Sequence, residues 1–232
     1  DGRQQQVKVN PSTEGAMNDD GLLACSRIEL TDAGRPQVDS SNGGCYTGGI
    51  GAHQAWGWVV RDNLFSGLYC PTGIAEHAIH FWRTSRDTVV ERNVIHNCAR
   101  GVGFGLDATG PNRPYPDNPL AGLSGHVGHL GGVIRNNVIW GNIGGRFDTG
   151  IELANAHGVE VYHNTVYSNG GTFSSIDSRF ANATPTIANN LANVRMTIRD
   201  GGRPTAHHNA ETAAAGLFVN AGAGDLHLKM DA

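Results

Sequence analysis

A short phrase that recurs along the chain restricts the folds open to it: strand-forming residues, then polar residues, then asparagine. The intervals between successive asparagines are 30, 44, 27, 26 and 19 residues. Without the 20 residues from Leu106 to Gly125, the longest interval shortens to 24. A fixed repeat of this length is typical of solenoids, in which each unit buries its apolar face against the next. The copies end at Asn63, Asn93, Asn137, Asn164 and Asn190, and a degraded copy ends at Asn209.

Each copy predicts two short strands that meet at a corner. The phrases are WVVRDN, TVVERN, GVIRNN, VEVYHN and PTIANN, and most precede a second apolar pair such as Val94-Ile95. A third strand precedes the phrase at Ala78-Ile79-His80-Phe81-Trp82 and at Gly150-Ile151-Glu152-Leu153. We expect the asparagine to adopt the left-handed conformation at the corner, and its amide to bond the asparagine of the next coil.

Three short strands in each coil predict an all-β fold, a right-handed parallel β-helix with an asparagine ladder at one corner. The segments between the strands lack helical periodicity and length, which excludes alternating βαβ units. An antiparallel sandwich is the alternative, but it would not explain why the same phrase recurs at one corner. We expect a single domain over residues 1–232, with irregular coils at 1–50 and a loop insertion at 106–125.

The composition narrows the choice of partners. Glycine supplies 33 of the 232 residues, about twice its usual share, as many turns between short strands require. The formal charge of −4 offers no basic surface to nucleic acid, and no apolar run is long enough to cross a bilayer. We therefore expect a monomer that binds neither nucleic acid nor membrane.

The four cysteines include no Cys-x-x-Cys pair, which argues against a zinc–thiolate site. An even number in a glycine-rich chain fits an oxidising compartment, and burial of free thiols is a close alternative. Because Cys70 and Cys98 follow the asparagine corner in successive coils, we expect them to form one disulfide, and Cys25 and Cys45 the other. The chain then belongs to a secreted or periplasmic protein whose signal peptide is not in this chain.

The phrases VVRDNLFSG, VVERNVIHN, VIRNNVIWGN and VEVYHNTVYSN resemble coils of the pectate-lyase-like superfamily of right-handed parallel β-helix proteins. The resemblance covers about residues 50 to 230. It implies a carbohydrate-active protein, because that superfamily includes polysaccharide lyases, uronan epimerases and glycoside hydrolases. The paired Asp and Gly-His-Gly of polygalacturonases and the Asp-Pro-His-Asp of alginate epimerases are missing. Lysine, the base in some alginate-type lyases, is nearly absent.

Alignment of the third strands predicts an outward column of His80, Gly103 and Glu152, which Asp177 continues in the opposite phase. Neighbouring coils are about 4.8 Å apart, so His80 and Glu152 would flank a sugar-sized slot at Gly103. In this catalytic hypothesis His80 moves a proton, Glu152 orients it or acts as partner acid, and Arg100 neutralises a uronate carboxylate. The alternative is that the column is polar because it faces water.

The stretch from Glu76 to Arg83 is typical of a sugar platform, because its tryptophan can stack on a pyranose while charged groups read hydroxyls or carboxylates. The pair His77-x-x-His80 also suggests a metal site. On a strand, however, this spacing places the two rings on opposite faces, so we predict no metal there. Arg113 and Tyr115 of the insertion are weaker candidates for ligand contact. The predicted substrate-binding residues are Glu76, His77, Trp82, Arg83, Arg146, Asp148, Asp177 and Arg179.

No cofactor is predicted. Calcium is the one ion with candidate oxygen ligands, but the spacing of these ligands matches no known loop. They are Asp19, Asp20, Asp62 and Asp107.

The leading functional hypothesis is a lyase that cleaves an acidic polysaccharide or oligosaccharide by proton abstraction. A non-catalytic carbohydrate-binding module of a larger enzyme is the second hypothesis, favoured by the missing catalytic signatures. A structural or adhesion solenoid is the third, and the Glu76–Arg83 cluster and the insertion argue against it.

Overall fold

The computed structural model describes residues 2–12 and 15–230, without the side chain of Asn42. Three sheets of stacked strands, A, B and C, wind into the right-handed parallel β-helix that the asparagine phrase predicts. A typical coil adds one strand to sheet A, then one to sheet B and one to sheet C. The strand pairs within these sheets are parallel, which excludes the antiparallel sandwich.

The strands of the described residues fall into these sheets as follows. Sheet A comprises Gln5–Val9, Gly48–His53, His77–Trp82, Arg100–Phe104, Thr149–Ala154, Ser174–Arg179 and Thr197–Arg199. Sheet B comprises Leu22–Ala24, Val59–Arg61, Ser85–Arg86, Val89–Glu91, His129–Leu130, Val133–Arg135, Ala156–Tyr162, Thr184–Ala188 and Thr205–His207. Sheet C comprises Arg27–Glu29, Leu64–Ser66, Val94–His96, Val138–Gly141, Thr165–Ser168 and Leu191–Ala192. Phe218–Asn220 pairs with Asp225–Leu228 in an antiparallel hairpin.

Helical structure is confined to single turns in the described residues. A four-residue α-helix spans Ser41–Gly44, and 3-10 turns span Arg35–Gln37, Ala215–Leu217 and Ala221–Ala223. No helix of residues 2–12 and 15–230 is long and apolar enough to cross a membrane.

The core runs along the axis of the solenoid as stacks of apolar side chains, one from each coil. One stack of sheet A is in register, and each of its members is at most 2 % exposed: Ile50, Ile79, Val102, Ile151 and Ile176. Burial of one such side chain contributes about 1.5–3 kcal/mol. The stack therefore fixes the register of the outer face as well, because side chains of one strand share the register of their backbone.

The asparagine ladder is confirmed at the corner between sheets B and C. The side-chain nitrogen of each asparagine donates to the side-chain oxygen, Oδ1, of the asparagine in the next coil over 2.9–3.0 Å, from Asn63 through to Asn209. The left-handed conformation, however, belongs to the residue before each asparagine, with φ between 53° and 58°. The expectation that asparagine itself takes it was wrong, because its side chain must turn inward to reach the next coil. The left-handed residues are Asp62, Arg92, Asn136, His163, Asn189 and His208.

Sheet A bends in its central coils, and this bend decides which side chains share its outer face. Ala78 and Ile79 are consecutive, and both are fully buried. A Cβ placed on Gly49, the residue beside Ala78 in the register, would lie 2.7 Å from the inward ring of Phe65. Two successive inward residues interrupt the alternation of a regular strand. His77 and His80, three residues apart, therefore both lie on the outer face.

The disulfide joins Cys45 to Cys70, with the Cα atoms 5.8 Å apart. Both predicted pairings were therefore wrong, although one disulfide is present. Cys98 is buried in the apolar core, where burial raises the pKa of its thiol to about 12, and Cys25 is free and exposed. The corner position that Cys70 and Cys98 share in sequence misled the prediction, because the Cys98 side chain points inward.

The 106–125 insertion packs against the corners that follow sheet A. Arg113 is buried and its guanidinium bonds Asp19 at 2.6 Å, while the hydroxyl of buried Tyr115 donates to the Thr84 carbonyl over 2.6 Å. Both side chains thus fasten the loop to the solenoid rather than present themselves to a ligand.

Candidate functional site

The predicted column lies on the outer face of sheet A, in the expected register. His80 pairs with Gly103, Gly103 with Glu152, and Glu152 with Asp177. Asp177 continues the column in the same phase, not the opposite one, because Ile176 aligns with Ile151. The structure thus brings together the two ionisable residues of the catalytic hypothesis and the next carboxylate along the solenoid.

The slot expected at Gly103 is filled by the ring of His77. A Cβ on Gly103 would lie 2.7 Å from that ring, so the missing side chain makes room for an imidazole instead of a sugar. The His77 Nε2 lies 3.1 Å from Oε2 of Glu152. His80 and Glu152 are 0 % and 5 % exposed. The column is therefore buried, and the alternative that it is polar because it faces water is not what the structure shows.

His80 lies at the centre of this buried group. Its ring centroid is 4.4 Å from that of His77 and 5.2 Å from that of Trp82, on which it stacks. Its Nε2 lies 3.1 Å from the carbonyl oxygen of Gly105, and its Nδ1 lies 3.4 Å from Oε2 of Glu76. The side chains that precede and follow His80 on its own strand thus cover it from water.

Burial and pairing set the charges of the group. Burial, together with the nearby His80, lowers the pKa of His77 to about 4, so its imidazole is neutral. Burial alone would raise the pKa of Glu152, but the hydrogen bond from His77 and the nearby Arg100 outweigh it and bring the pKa to about 2. The His80 imidazole lowers the pKa of Glu76 to about 2. The group therefore holds two carboxylates within a largely dehydrated face.

The predicted arginines reach this face to different extents. Arg100 pairs with Asp148 over 3.3 Å at the edge of the cluster. Arg179 lies 3.9 Å from Glu152 and 3.0 Å from Asp200.

The other two predicted arginines, Arg83 and Arg146, are exposed. Arg83 is exposed, with its guanidinium 4.8 Å from the centroid of the Trp82 ring. Arg146 instead donates to the carbonyls of Pro71 and Ile143 and is exposed.

Arg199 is a member of the face that sequence reasoning missed. Its guanidinium binds the buried carboxylate of Asp177 through two nitrogens, at 3.0 and 2.7 Å. Burial nevertheless raises the pKa of Asp177. Arg199 pairs with Arg179 in the last strand of sheet A. Extending the column past Asp177 leads to Thr197, two residues before Arg199, so the column alone does not point to this arginine.

Buried polar atoms without hydrogen-bond partners concentrate on this face. Native structures contain few such atoms, and each calls for an explanation such as an ion, a water or a ligand. Six of those found in the described residues lie here: Gln5 Oε1, Glu76 Oε2, His77 Nδ1, His80 Nδ1, Trp82 Nε1 and Arg179 Nε.

Other features offer less. An open cleft of about 460 Å³ beside sheet C is lined by Arg35, Tyr69 and His96, among others. Arg35 already donates to the backbone carbonyls of Gly67 and Tyr69. Of the aspartates considered for calcium, Asp62 forms an ion pair with Arg92, and Asp19, as described above, holds Arg113.

Fold and site together define the chain as a parallel β-helix that carries a buried cluster of imidazoles and carboxylates on one sheet. No known family model matches the sequence, and no curated protein or solved structure matches it significantly.

Proposed function

We propose that this protein is an extracytoplasmic, polysaccharide-active β-helix of the pectate-lyase-like kind, which binds an acidic glycan along the outer face of sheet A. Three arginine–aromatic pairs on and beside that face carry the proposal. Their guanidinium-to-centroid distances are 4.8 Å for Arg83–Trp82, 4.2 Å for Arg179–Phe180 and 5.3 Å for Arg199–Phe173. An aromatic ring supports a sugar ring, and a planar guanidinium suits a carboxylate.

The spacing of these pairs fits an extended chain. Five neighbouring strands of sheet A connect Trp82 to Arg199. Trp82 lies in the first of them, Ala154 in the third, Arg179 in the fourth and Arg199 in the fifth. At about 4.8 Å for each coil, this path is about 19 Å long. Phe173 is 49 % exposed. A glycan lying along the solenoid axis could therefore contact several coils at once.

Affinity electrophoresis in gels that contain polygalacturonate, alginate or neutral dextran tests the proposal. We expect the uronate polymers alone to retard the protein, and added salt to weaken the effect, because exposed charges are screened. Arg83→Gln should weaken binding about two- to fivefold, the value of one exposed ion pair. Arg27→Gln, an exposed arginine of sheet C, is the matched control. Equal retardation by dextran, or equal loss in Arg27→Gln, would refute an acidic-glycan face.

A lyase reaction is the second candidate, favoured by the contact of two imidazoles with two carboxylates beside Arg100. His80 would remove the proton α to a uronate carboxylate, the bond from the β-carbon to the glycosidic oxygen would break to leave a carbon–carbon double bond, and the departing oxygen would take a proton from water. Glu152 would act through His77, to which it is hydrogen-bonded, and not on His80 directly. Because His80 is covered by Trp82, the tryptophan ring must swing aside before substrate reaches it. The measurement is the ultraviolet absorbance of the unsaturated product. Product formation that survives His80→Asn would exclude His80 as the base, and binding without product would leave the carbohydrate-binding module.

A further inference from the structure

The bend in sheet A brings three metal-ligating side chains together. One ligand atom from each of Glu76, His77 and His80 lies within 4.8 Å of the others. Oε2 of Glu76 and the Nδ1 atoms of both histidines are buried and lack hydrogen-bond partners. The two histidines are 1 % and 0 % exposed. Each residue thus offers one buried atom without a hydrogen bond, and two of these atoms, Oε2 of Glu76 and Nδ1 of His80, lie 3.4 Å apart.

The partners of the opposite ring nitrogens fix which nitrogen of each histidine is free. The Gly105 carbonyl can only accept a hydrogen bond, so Nε2 of His80 carries the proton at 3.1 Å from it. The Glu152 carboxylate is likewise an acceptor, so Nε2 of His77 donates to it over 3.1 Å. In the neutral rings both Nδ1 atoms then present a lone pair.

We propose that Glu76, His77 and His80 bind one divalent transition-metal ion, with Zn²⁺ as the best match. The two imidazole nitrogens and one carboxylate are donors that such ions prefer, whereas Ca²⁺ takes six to eight oxygens. Tetrahedral zinc with bonds of about 2.0–2.1 Å places neighbouring ligand atoms about 3.3 Å apart. Nδ1 of His80 and Oε2 of Glu76 are already 3.4 Å apart.

The surroundings supply the outer shell that metal-bound histidines have. Such histidines donate their second nitrogen to a carboxylate or a backbone carbonyl, which orients the ring. Glu152 does this for His77 and the Gly105 carbonyl does it for His80. Gly103 acts as a positioning residue, because a side chain there would occupy the place of the His77 ring.

Three protein ligands leave one tetrahedral position for water or a substrate oxygen, as in catalytic rather than structural zinc sites. The Glu76 side chain is 22 % exposed, so this is the side from which the ion enters. The site goes beyond the proposed glycan face and does not depend on it. It also excludes His80 as a free base, because one Nδ1 lone pair cannot hold a metal and accept a proton together.

The competing explanation is a metal-free ion pair, in which a doubly protonated His80 faces Glu76. Titration of chelator-treated protein with Zn²⁺ in a calorimeter, followed by imidazole ¹⁵N spectra, separates the two. We expect one equivalent to bind and the Nδ1 resonances of His77 and His80 to shift. With Co²⁺ we expect the intense visible bands of four-coordinate cobalt. The proposal is overturned if one equivalent does not bind, or if the chemical shifts show that the Nδ1 nitrogens stay protonated at saturating Zn²⁺.

An exposed histidine pair must be removed first. His207 and His208 have their Nδ1 atoms 3.0 Å apart on the surface and can hold an adventitious ion. All titrations therefore use the His207→Ala/His208→Ala background, and absence of one-equivalent binding in that background overturns the proposal.

Two variants then test the assignment. Glu152→Gln should weaken Zn²⁺ binding about 10- to 100-fold, the usual effect of an outer-shell partner. Glu76→Gln, which removes a ligand but little volume, should weaken it more. Glu160→Gln, an exposed glutamate of sheet B, is the control and should bind as the background does. Circular dichroism checks that each variant is folded. Undiminished binding by folded Glu76→Gln would overturn the proposal even if glycan binding were unaffected.

Discussion

Replacement of Asn137 by alanine tests how much of the stability comes from the asparagine ladder. Asn137 is 1 % exposed. Its amide nitrogen donates to the Val90 carbonyl over 3.0 Å and to Asn164 over 2.9 Å. Its oxygen accepts from the backbone and side-chain nitrogens of Asn93, both over 3.0 Å. Alanine would remove all four bonds and leave the backbone N–H of Asn93 buried without a partner.

The magnitude follows from these contacts. A buried polar group that loses its partner costs about 1–3 kcal/mol, and an ordinary hydrogen bond contributes about 1 kcal/mol. We therefore expect Asn137→Ala to lower the free energy of unfolding by about 3–5 kcal/mol. Asn136→Ala is the matched control, because Asn136 is the exposed neighbour with φ 55°. Alanine is disfavoured in that conformation by about 1 kcal/mol relative to asparagine.

Urea denaturation followed by far-ultraviolet circular dichroism compares the two variants. Solenoids can unfold in segments, so amide hydrogen exchange adds a local readout. In Asn137→Ala the amide of Asn93 should lose protection, whereas that of Asn63, which bonds Asn93, should keep it. If Asn137→Ala is no more destabilising than Asn136→Ala, the ladder does not contribute as argued.

Three further outcomes can be checked. A thiol reagent should modify Cys25 alone in the native protein and Cys98 only on unfolding, so two reactive native thiols would contradict the burial described above. Burial lowers the pKa of His129 to about 3. Its unfolded imidazole titrates near 6.5, so unfolding takes up a proton below that pH, and stability should fall from about pH 6.5 towards pH 3. His129→Gln should show a shallower decline, and an unchanged pH profile would contradict this. Gly105→Ala places a Cβ 1.8 Å from a backbone carbonyl oxygen of the next coil, whereas a Cβ on Gly144 meets no atom within 4 Å. Gly105→Ala should therefore lower the melting temperature far more than Gly144→Ala, and equal shifts would refute the argument.

The sequence predicted the features that repeat. The asparagine phrase fixed both the class of fold and the atoms that bond between coils, because every copy obeys the same stacking. The alignment of His80, Gly103 and Glu152 was right for the same reason, since one wrong residue in the register would have put apolar side chains outside.

Features that depend on a departure from regular strand geometry were not predicted. The alternation rule placed His77 and His80 on opposite faces, and the bend at Ala78-Ile79 reverses that result. A signal was present: Gly49, Gly101 and Gly150 occupy the place of Ala78 in other coils. Small residues before Ile50, Ile79, Val102 and Ile151 are what a second inward position requires. Burial of the column was missed because it arises between coils, through the ring of His77 over Gly103.

The disulfide has a mechanical consequence for this solenoid. Cys45 and Cys70 are 25 residues apart, and the chain between them passes once through sheets A, B and C. The bond therefore closes one full turn into a covalent ring. When the protein is stretched from its ends, the force is carried by the disulfide and not by the 25 residues between the two cysteines. The contour length of this segment, roughly 85 Å at about 3.4 Å per residue, therefore does not contribute to the extension. Reduction releases this length, so the extension at rupture reports the redox state of a single coil.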